Sequence, residues 1–334
     1  MIWIAIDAMG GDAGPAPIVD GALAAARHFD LGVSLVGPVH HLERELERHT
    51  GLDRRQVRLV DADAVVDMAE QATKALRLKP NASIKVATEC VARGNAAALF
   101  SAGHTGATVV AAHAAFGILP GIDRPALAAT VPTRRRPAIL LDVGASVECR
   151  PAHLLQFAAM GSIYARLALG VERPRVGLLS IGEEATKGNE LTREAHRLLK
   201  ASPLDFIGNV EARDVYSGVA DVIVCDGFTG NVALKVSEGL VDVVEDLLTE
   251  ELSRTVPMRV GSLLMRRALR HFRKRVDSSE YGGAPLLGVG GIAVVGHGRS
   301  SAKAVRNAVV MAYRFAAGNF IERVEREVAS LAMP

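Results

Sequence analysis

The chain reads as an α/β protein, a mostly parallel sheet sandwiched between helices on both faces. Short apolar runs alternate with helical patterns along most of its 334 residues. Those runs repeatedly end in glycine-rich polar turns that lead into a helix. Hydrophobic residues make up 49%, enough to bury a large core, while aromatics are only 4%.

The first run, residues 2–6, reads as a strand, because no basic segment or long apolar stretch marks it as a signal peptide. Further strand-like runs cover 33–36, 57–60, 97–100, 127–131, 138–141, 176–179 and 222–225. Between them, spacing of apolar residues near every third or fourth position predicts helices over 17–29, 41–49, 83–93, 107–115, 151–169 and 191–201. A long helix is expected from near Asn231 to about Leu252. The glycine-rich stretch 288–298 is apolar as well, so it is a strand or a loop beside the core. One helix is expected over 301–331. The whole chain is taken as one catalytic α/β unit, with 232–277 as a helical excursion.

Composition narrows the function. Net charge is +2 and there is a single Trp, which argues against a base-stacking nucleic-acid surface. Cys90, Cys149 and Cys225 are far apart, with no C-x-x-C, so neither a disulfide framework nor a zinc knuckle is indicated. That pattern suits a reducing cytoplasm. No apolar run is long enough to span a membrane.

The turns carry the chemistry. Asp7-Ala8-Met9-Gly10-Gly11-Asp12 follows the first strand. Ser101-Ala102-Gly103-His104-Thr105-Gly106 opens a helix, as does Ser180-Ile181-Gly182-Glu183-Glu184-Ala185-Thr186-Lys187-Gly188-Asn189. Asp142-Val143-Gly144-Ala145-Ser146 and Asp226-Gly227-Phe228-Thr229-Gly230-Asn231 complete the set. In a parallel sheet these five ends share one edge, where ligands bind and helix starts favour anions. Each turn alone is also consistent with an ordinary tight connection. Lys187 is the candidate charge, against the alternative of a solvated loop lysine. Asn231 is a plausible N-cap that could also donate to an oxyanion, and His104 is an acid or base or else satisfies its own turn. There is no P-loop, H-E-x-x-H or G-x-S-x-G. Gly288-Val289-Gly290-Gly291-Ile292-Ala293 fits a dinucleotide fingerprint but lacks the helix that should follow it.

From Leu252 to Val276 no acidic residue occurs, while Arg254, Arg259, Arg266, Arg267, Arg270, Arg273, Lys274 and Arg275 supply positive charge. Met258, Leu264, Met265, Ala268, Leu269, Phe272 and Val276 fall on one helical arc. The segment reads as a basic amphipathic helix, suited to an acidic protein, a membrane surface, or packing within a dimer.

In this order, the motifs resemble the bacterial acyl-ACP:phosphate acyltransferase family. The match extends to Gly208-Asn209-Val210-Glu211 and Tyr281-Gly282-Gly283-Ala284-Pro285-Leu286-Leu287-Gly288, and spans nearly the whole chain. The resemblance implies a fold like isocitrate and isopropylmalate dehydrogenases and phosphotransacetylases. It further implies a homodimer, and acyl transfer from acyl carrier protein to inorganic phosphate without metal or nicotinamide. Lys187 and Asn231 match the family's catalytic positions. Asp7, Gly10, Gly11, Asp12, Ser101, His104, Thr105, Asp142, Gly144, Ser146, Glu184, Asn189, Asn209, Glu211, Asp226, Phe228 and Thr229 are the substrate-binding candidates. Arg266, Arg267, Leu269, Arg270, Phe272 and Arg273 are candidates for carrier or membrane contact. The chain departs from the family pattern at Ala13-Gly14, His104, Ser146 and Ser180, where His-Ala and three Asn residues are usual. Rival readings are a short-chain phosphotransacetylase acting on acyl-CoA, an isopropylmalate-type dehydrogenase, and a non-catalytic scaffold for carrier protein.

Overall fold

A computed structural model describes residues 1–330, apart from 256, 259–260, 262–263, 268, 270–271 and 273–277. Eleven strands form one sheet: β1 (Ile2–Asp7), β2 (Leu31–Gly37), β3 (Val57–Asp61), β4 (Ala98–Ser101), β5 (Ala126–Val131), β6 (Ala138–Leu141), β7 (Arg175–Leu179), β8 (Asp205–Val210), β9 (Val222–Val224), β10 (Ala284–Leu287) and β11 (Ile292–Val295). Their spatial order is β3-β2-β1-β4-β11-β10-β5-β6-β9-β7-β8.

Two halves of this sheet are parallel within themselves. Strands β3, β2, β1, β4 and β11 run together, as do β6, β9, β7 and β8. Between them β10 and β5 alternate in direction, so that three successive pairings are antiparallel. The second half therefore runs opposite to the first. This corrects the expectation of one shared rim. The turns after β6, β7 and β9 do lie on one edge, but those after β1 and β4 leave the sheet in the opposite sense. A sequence pattern reports strands but not their direction, and here two intervening strands reverse it.

Side chains alternate across the sheet as strand geometry requires. Ile4 and Ile6 join one buried cluster, with α1 (Pro15–Ala26), α2 (Val39–Leu46), α6 (Pro151–Leu169), α7 (Glu190–Ala201), α9 (Ala302–Ala317) and α10 (Phe320–Ser330). Ala5 lies between them and joins the opposite cluster, with α3 (Ala72–Leu78), α4 (Ser83–Ala92) and α5 (Thr105–Phe116). The three layers follow from this alternation. In α6, residues 153–165 are buried throughout, and Phe157 and Tyr164 are among the largest fully enclosed side chains. Each contributes roughly 1.5–3 kcal/mol of apolar burial.

Three elements escaped the pattern. The edge strand β8 is polar and alternates in exposure, with a register shift in its pairing to β7. Strand β10 carries a Pro, and α3 is only seven residues long. The expected C-terminal helix is broken into α9 and α10 at Gly318 and Asn319, where Asn319 adopts φ +49°.

The long helix α8 (Gly227–Ser253) begins four residues before Asn231. Its N-cap is Asp226, whose carboxylate accepts the Thr229 N–H at 2.8 Å and the Thr229 hydroxyl at 2.7 Å. Asn231 thus enters the second turn and is not the cap. Gly227 and Gly230 sit inside the helix because the β6 turn presses on them. A Cβ at Gly227 would stand 2.7 Å from the Ser146 carbonyl oxygen, and one at Gly230 would stand 2.0 Å from that of Asp142. Over its 27 residues α8 extends about 40 Å, and only its start packs against the sheet. Past that start it exposes Val232, Val236, Leu240, Val243 and Leu247 on one side.

Candidate active site

Strand order places four turns side by side on the edge of the second half: after β6, β9, β7 and β8. Lys187 and Asn231 come from adjacent strands of that row. Lys187 stands on the loop between β7 and α7. Its backbone N–H donates to the Glu184 carbonyl at 3.0 Å, and its side-chain stem lies over Gly182. Gly188 follows with φ +98°, so close to Thr192 that a Cβ would meet its hydroxyl at 2.1 Å. This turn admits only glycine, and it orients the lysine before the helix begins. The Lys187 side chain is exposed, and among the described residues its Nζ makes no hydrogen bond or ion pair.

Several residues nominated for binding also brace this loop. Asn189 caps α7, accepting the Thr192 N–H at 2.9 Å. Asn209 is buried; its Nδ2 donates to the Glu184 carbonyl at 2.9 Å and its Oδ1 meets His196 at 2.9 Å. Glu184 itself is exposed, and Glu211 pairs with Arg213 at 2.9 Å.

The β6 turn is organised by Asp142. One carboxylate oxygen accepts backbone N–H groups from Leu127, Gly144 and Ala145, and the other accepts that of Ser146 at 2.6 Å. Burial pushes this carboxyl up, and those backbone donors oppose the shift. Ser146 is buried, with its hydroxyl spent on the Pro125 carbonyl. Gly144, at φ +136°, leaves room for Asn231, whose Nδ2 would stand 2.7 Å from an added Cβ. Asn231 Nδ2 donates to the Val143 carbonyl at 2.9 Å. An amide nitrogen has two N–H groups, so one remains to donate elsewhere. Phe228 is 63% exposed beside it.

In the first half, Asp7 is buried under the Gly10 and Gly103 backbones, which approach so closely that a Cβ at Gly10 would stand 2.6 Å from the Gly103 nitrogen. Ser101 donates to one Asp7 oxygen at 2.7 Å, while the other has no partner among the described residues. Burial pushes the Asp7 carboxyl up, against the Ser101 hydrogen bond. His104 caps α5: its Nδ1 accepts the Ala107 N–H at 3.2 Å and its Nε2 meets the Glu70 carbonyl at 3.0 Å. Both ring nitrogens are engaged, which realises the turn-satisfying alternative for this residue. Thr105 is the first residue of α5.

The two halves meet through the loop after β11. The Asp12 N–H donates to the Gly298 carbonyl at 2.8 Å, and neighbouring His297 lies 3.1 Å from Lys235 on α8. Gly10, Gly11, Asp12, Gly298, His297, Lys235, Asn231 and Gly144 thus form one continuous series despite the opposed strand directions. Lys235, Glu238, His297 and Arg299 were not foreseen. The signal was present in the four-residue spacing from Asn231 to Lys235, which puts both on one helix face.

No cysteine is poised as a nucleophile. Burial and the Asp142 charge push the Cys149 thiol up to about 12, and burial pushes Cys225 well above its usual range. Among the described residues no group of His, Cys, Asp and Glu could hold a metal ion, and no helix is long and apolar enough to cross a membrane. In the basic segment, Leu264, Met265 and Phe272 are 83%, 55% and 44% exposed, Arg266 and Arg267 are exposed, and Leu269 is half-buried. Arg270 and Arg273 lie outside the described residues.

Known structures share this fold. A phosphotransacetylase from Streptococcus pyogenes superposes with a TM-score of 0.65 over 95% of this chain and 94% of its own, at 15% identity. A 4-hydroxythreonine-4-phosphate dehydrogenase from Klebsiella pneumoniae gives 0.55 over 94% and 99%, at 14% identity. At such identities the likeness concerns fold alone, and it bears out the expected architecture. In sequence, the chain is 49% identical over 329 residues to the phosphate acyltransferase of Acidobacterium capsulatum, covering 98% of both. It is 48% identical over 314 residues to that of Geobacter sulfurreducens, covering 93% and 90%. Residues 2–323 match the model of a family described as fatty acid synthesis protein. The chain therefore belongs to the fatty acid synthesis protein family, among relatives that are phosphate acyltransferases.

Proposed function

We propose that the chain transfers a fatty acyl group from acyl carrier protein to inorganic phosphate, giving an acyl phosphate for phospholipid synthesis. The observation that carries the reading is near-half identity over almost the full length to phosphate acyltransferases. The site chemistry agrees with it. Phosphate is nucleophilic at neutral pH, so the reaction requires positioning and charge stabilisation more than an activated side chain. A phosphate oxygen attacks the thioester carbonyl, and its electron pair forms the C–O bond. The tetrahedral oxyanion collapses, the C–S bond breaks, and the carrier leaves as a thiolate that takes a proton from solvent. Lys187 neutralises phosphate and the developing oxyanion, and the free N–H of Asn231 donates to that oxyanion. Supporting this, Lys187 Nζ is exposed and uncommitted, and Asn231 is fixed at 2.9 Å from Val143 on the adjacent strand end.

The finer assembly is also proposed. The apolar side of α8, with Val236, Leu240 and Leu247 each more than half exposed, suits a second copy of the chain. The basic segment, with Arg266, Arg267, Leu269 and Phe272, suits the acidic carrier or the inner membrane surface. We place the protein in the cytoplasm, peripheral to that membrane.

Phosphate-dependent release of free thiol from a long-chain acyl carrier protein tests the function. Release from the carrier substrate is expected. Release from short-chain acyl-CoA alone would favour the phosphotransacetylase reading, and no release from either would leave a scaffold.

A further inference from the structure

Beyond Asn231, one face of α8 carries polar groups that the reaction described above leaves unused. Asn231, Lys235, Glu238 and Asp242 recur at helical spacing, on the side away from the exposed apolar stripe. Lys235, Glu238 and Asp242 face the loop after β11. Lys235 Nζ stands 3.1 Å from Nε2 of His297 and 2.9 Å from Glu238. Arg299 reaches Asp242 at 3.4 Å.

The imidazole is poised in an unusual way. Its Nδ1 accepts the Arg299 backbone N–H at 3.1 Å. A neutral ring accepting at Nδ1 carries its proton on Nε2. Burial, then the Lys235 charge, hold His297 below its usual range, which favours that neutral ring. Its Nε2–H and the Lys235 ammonium then confront one another as two donors. Glu238 satisfies Lys235 but lies 3.8 Å from Nε2, beyond hydrogen-bond reach. An anionic oxygen between the two donors would satisfy both.

Position adds the second argument. Lys235 lies one turn beyond Asn231 on the same face. Gly298, next to His297, accepts the Asp12 N–H. The donor pair therefore stands where the opposed halves of the sheet meet, between the Asp12 turn and Asn231.

We propose that Lys235 and His297 form an anion clamp that holds the phosphate co-substrate between the two halves of the sheet. The inference rests on the acyl-transfer reading for the identity of the anion. Glu238 competes with phosphate for Lys235 and sets the affinity of the empty site.

The test uses the full-length protein in two arms: calorimetric titration with inorganic phosphate in the absence of acyl donor, and steady-state KM for phosphate and for acyl carrier protein. Lys235→Met and His297→Ala are each expected to weaken phosphate binding about tenfold or more, as for loss of a charge-assisted hydrogen bond. The phosphate KM should rise in parallel while the carrier KM stays within twofold. His297→Gln keeps an N–H donor and should recover most of the loss. Glu238→Gln should tighten phosphate binding severalfold. Unchanged phosphate affinity and KM in both Lys235→Met and His297→Ala overturns the clamp, even if kcat or the melting temperature falls. A shift confined to the carrier KM overturns it too, assigning the pair to the acyl donor. A wild type that binds phosphate through these residues but releases no thiol keeps the clamp and refutes the transfer reading. A wild type that neither binds phosphate nor releases thiol refutes both.

Discussion

Replacing Gly230 by alanine should slow turnover while leaving the protein folded. The added Cβ would lie 2.0 Å from the Asp142 carbonyl oxygen and 2.7 Å from Cys225 Sγ. Cβ atoms essentially never approach closer than 3.0 Å, so the start of α8 must move by about 1 Å away from the β6 turn. Neither neighbour can yield cheaply, because one is backbone and the Cys225 side chain is buried. Overpacking of this kind costs about 1–3 kcal/mol. Asn231 is the next residue along α8 and moves with it. Its 2.9 Å hydrogen bond to Val143 lengthens or breaks, and its remaining donor leaves the path of the oxyanion. A misplacement of about 1 Å can cost a hundredfold in rate. The assay is kcat for phosphate-dependent thiol release, read beside a urea denaturation curve. Folded protein with wild-type kcat would refute the argument that the Gly230 contact positions Asn231.

Other perturbations separate the roles of individual groups. Lys187→Ala should lower kcat by about a hundred- to thousandfold; because Nζ is exposed and unbonded, stability should stay within about 0.5 kcal/mol, and near-normal thiol release would remove Lys187 from the mechanism. Asp221 is buried between Arg175 Nε at 3.0 Å and Arg136 Nε at 2.9 Å. Burial alone would raise its carboxyl, but the arginine hydrogen bonds outweigh this and hold it below the usual range. Its contribution is therefore present above about pH 4, the unfolded value, and is lost as pH falls through the lower folded value. Asp221→Asn should cost about 2 kcal/mol at pH 7 in urea denaturation, since both arginines are partly solvated, and should flatten the acid limb of the stability curve. Leu240→Asp should turn a dimer into monomers by light scattering; an unchanged mass would leave the α8 stripe to another partner. Anionic liposomes should co-sediment the wild type and lose Leu269→Glu, and absence of wild-type binding would remove the membrane from the proposal.

The strands were legible because each buried run is short, apolar and closed by glycine: 2–6, 138–141 and 222–225 need no partner to be recognised. Lys187 was legible for a related reason. A lysine followed by glycine and an Asn cap, at the mouth of a helix, carries its own local signature. Strand β8 was not, because an edge strand is half solvated and its residues need not be apolar. Roles that depend on partners distant in sequence were hidden as well. Asp226 looked like a strand end and is a cap. Asn209 was nominated for binding, and its amide also braces the Glu184 carbonyl. His104 looked like an acid–base candidate and spends both nitrogens on backbone groups.

The sequence by itself determined the α/β class and the glycine-bearing turns. Both follow from local periodicity and local backbone demand. Tertiary structure alone decided the direction of each half of the sheet. Pairing of β10 with β5 is a contact between segments more than 150 residues apart, and no local pattern encodes its sense. The meeting of His297 with Lys235 is tertiary in the same way: it joins the loop after β11 to α8 although the two halves of the sheet run in opposite directions.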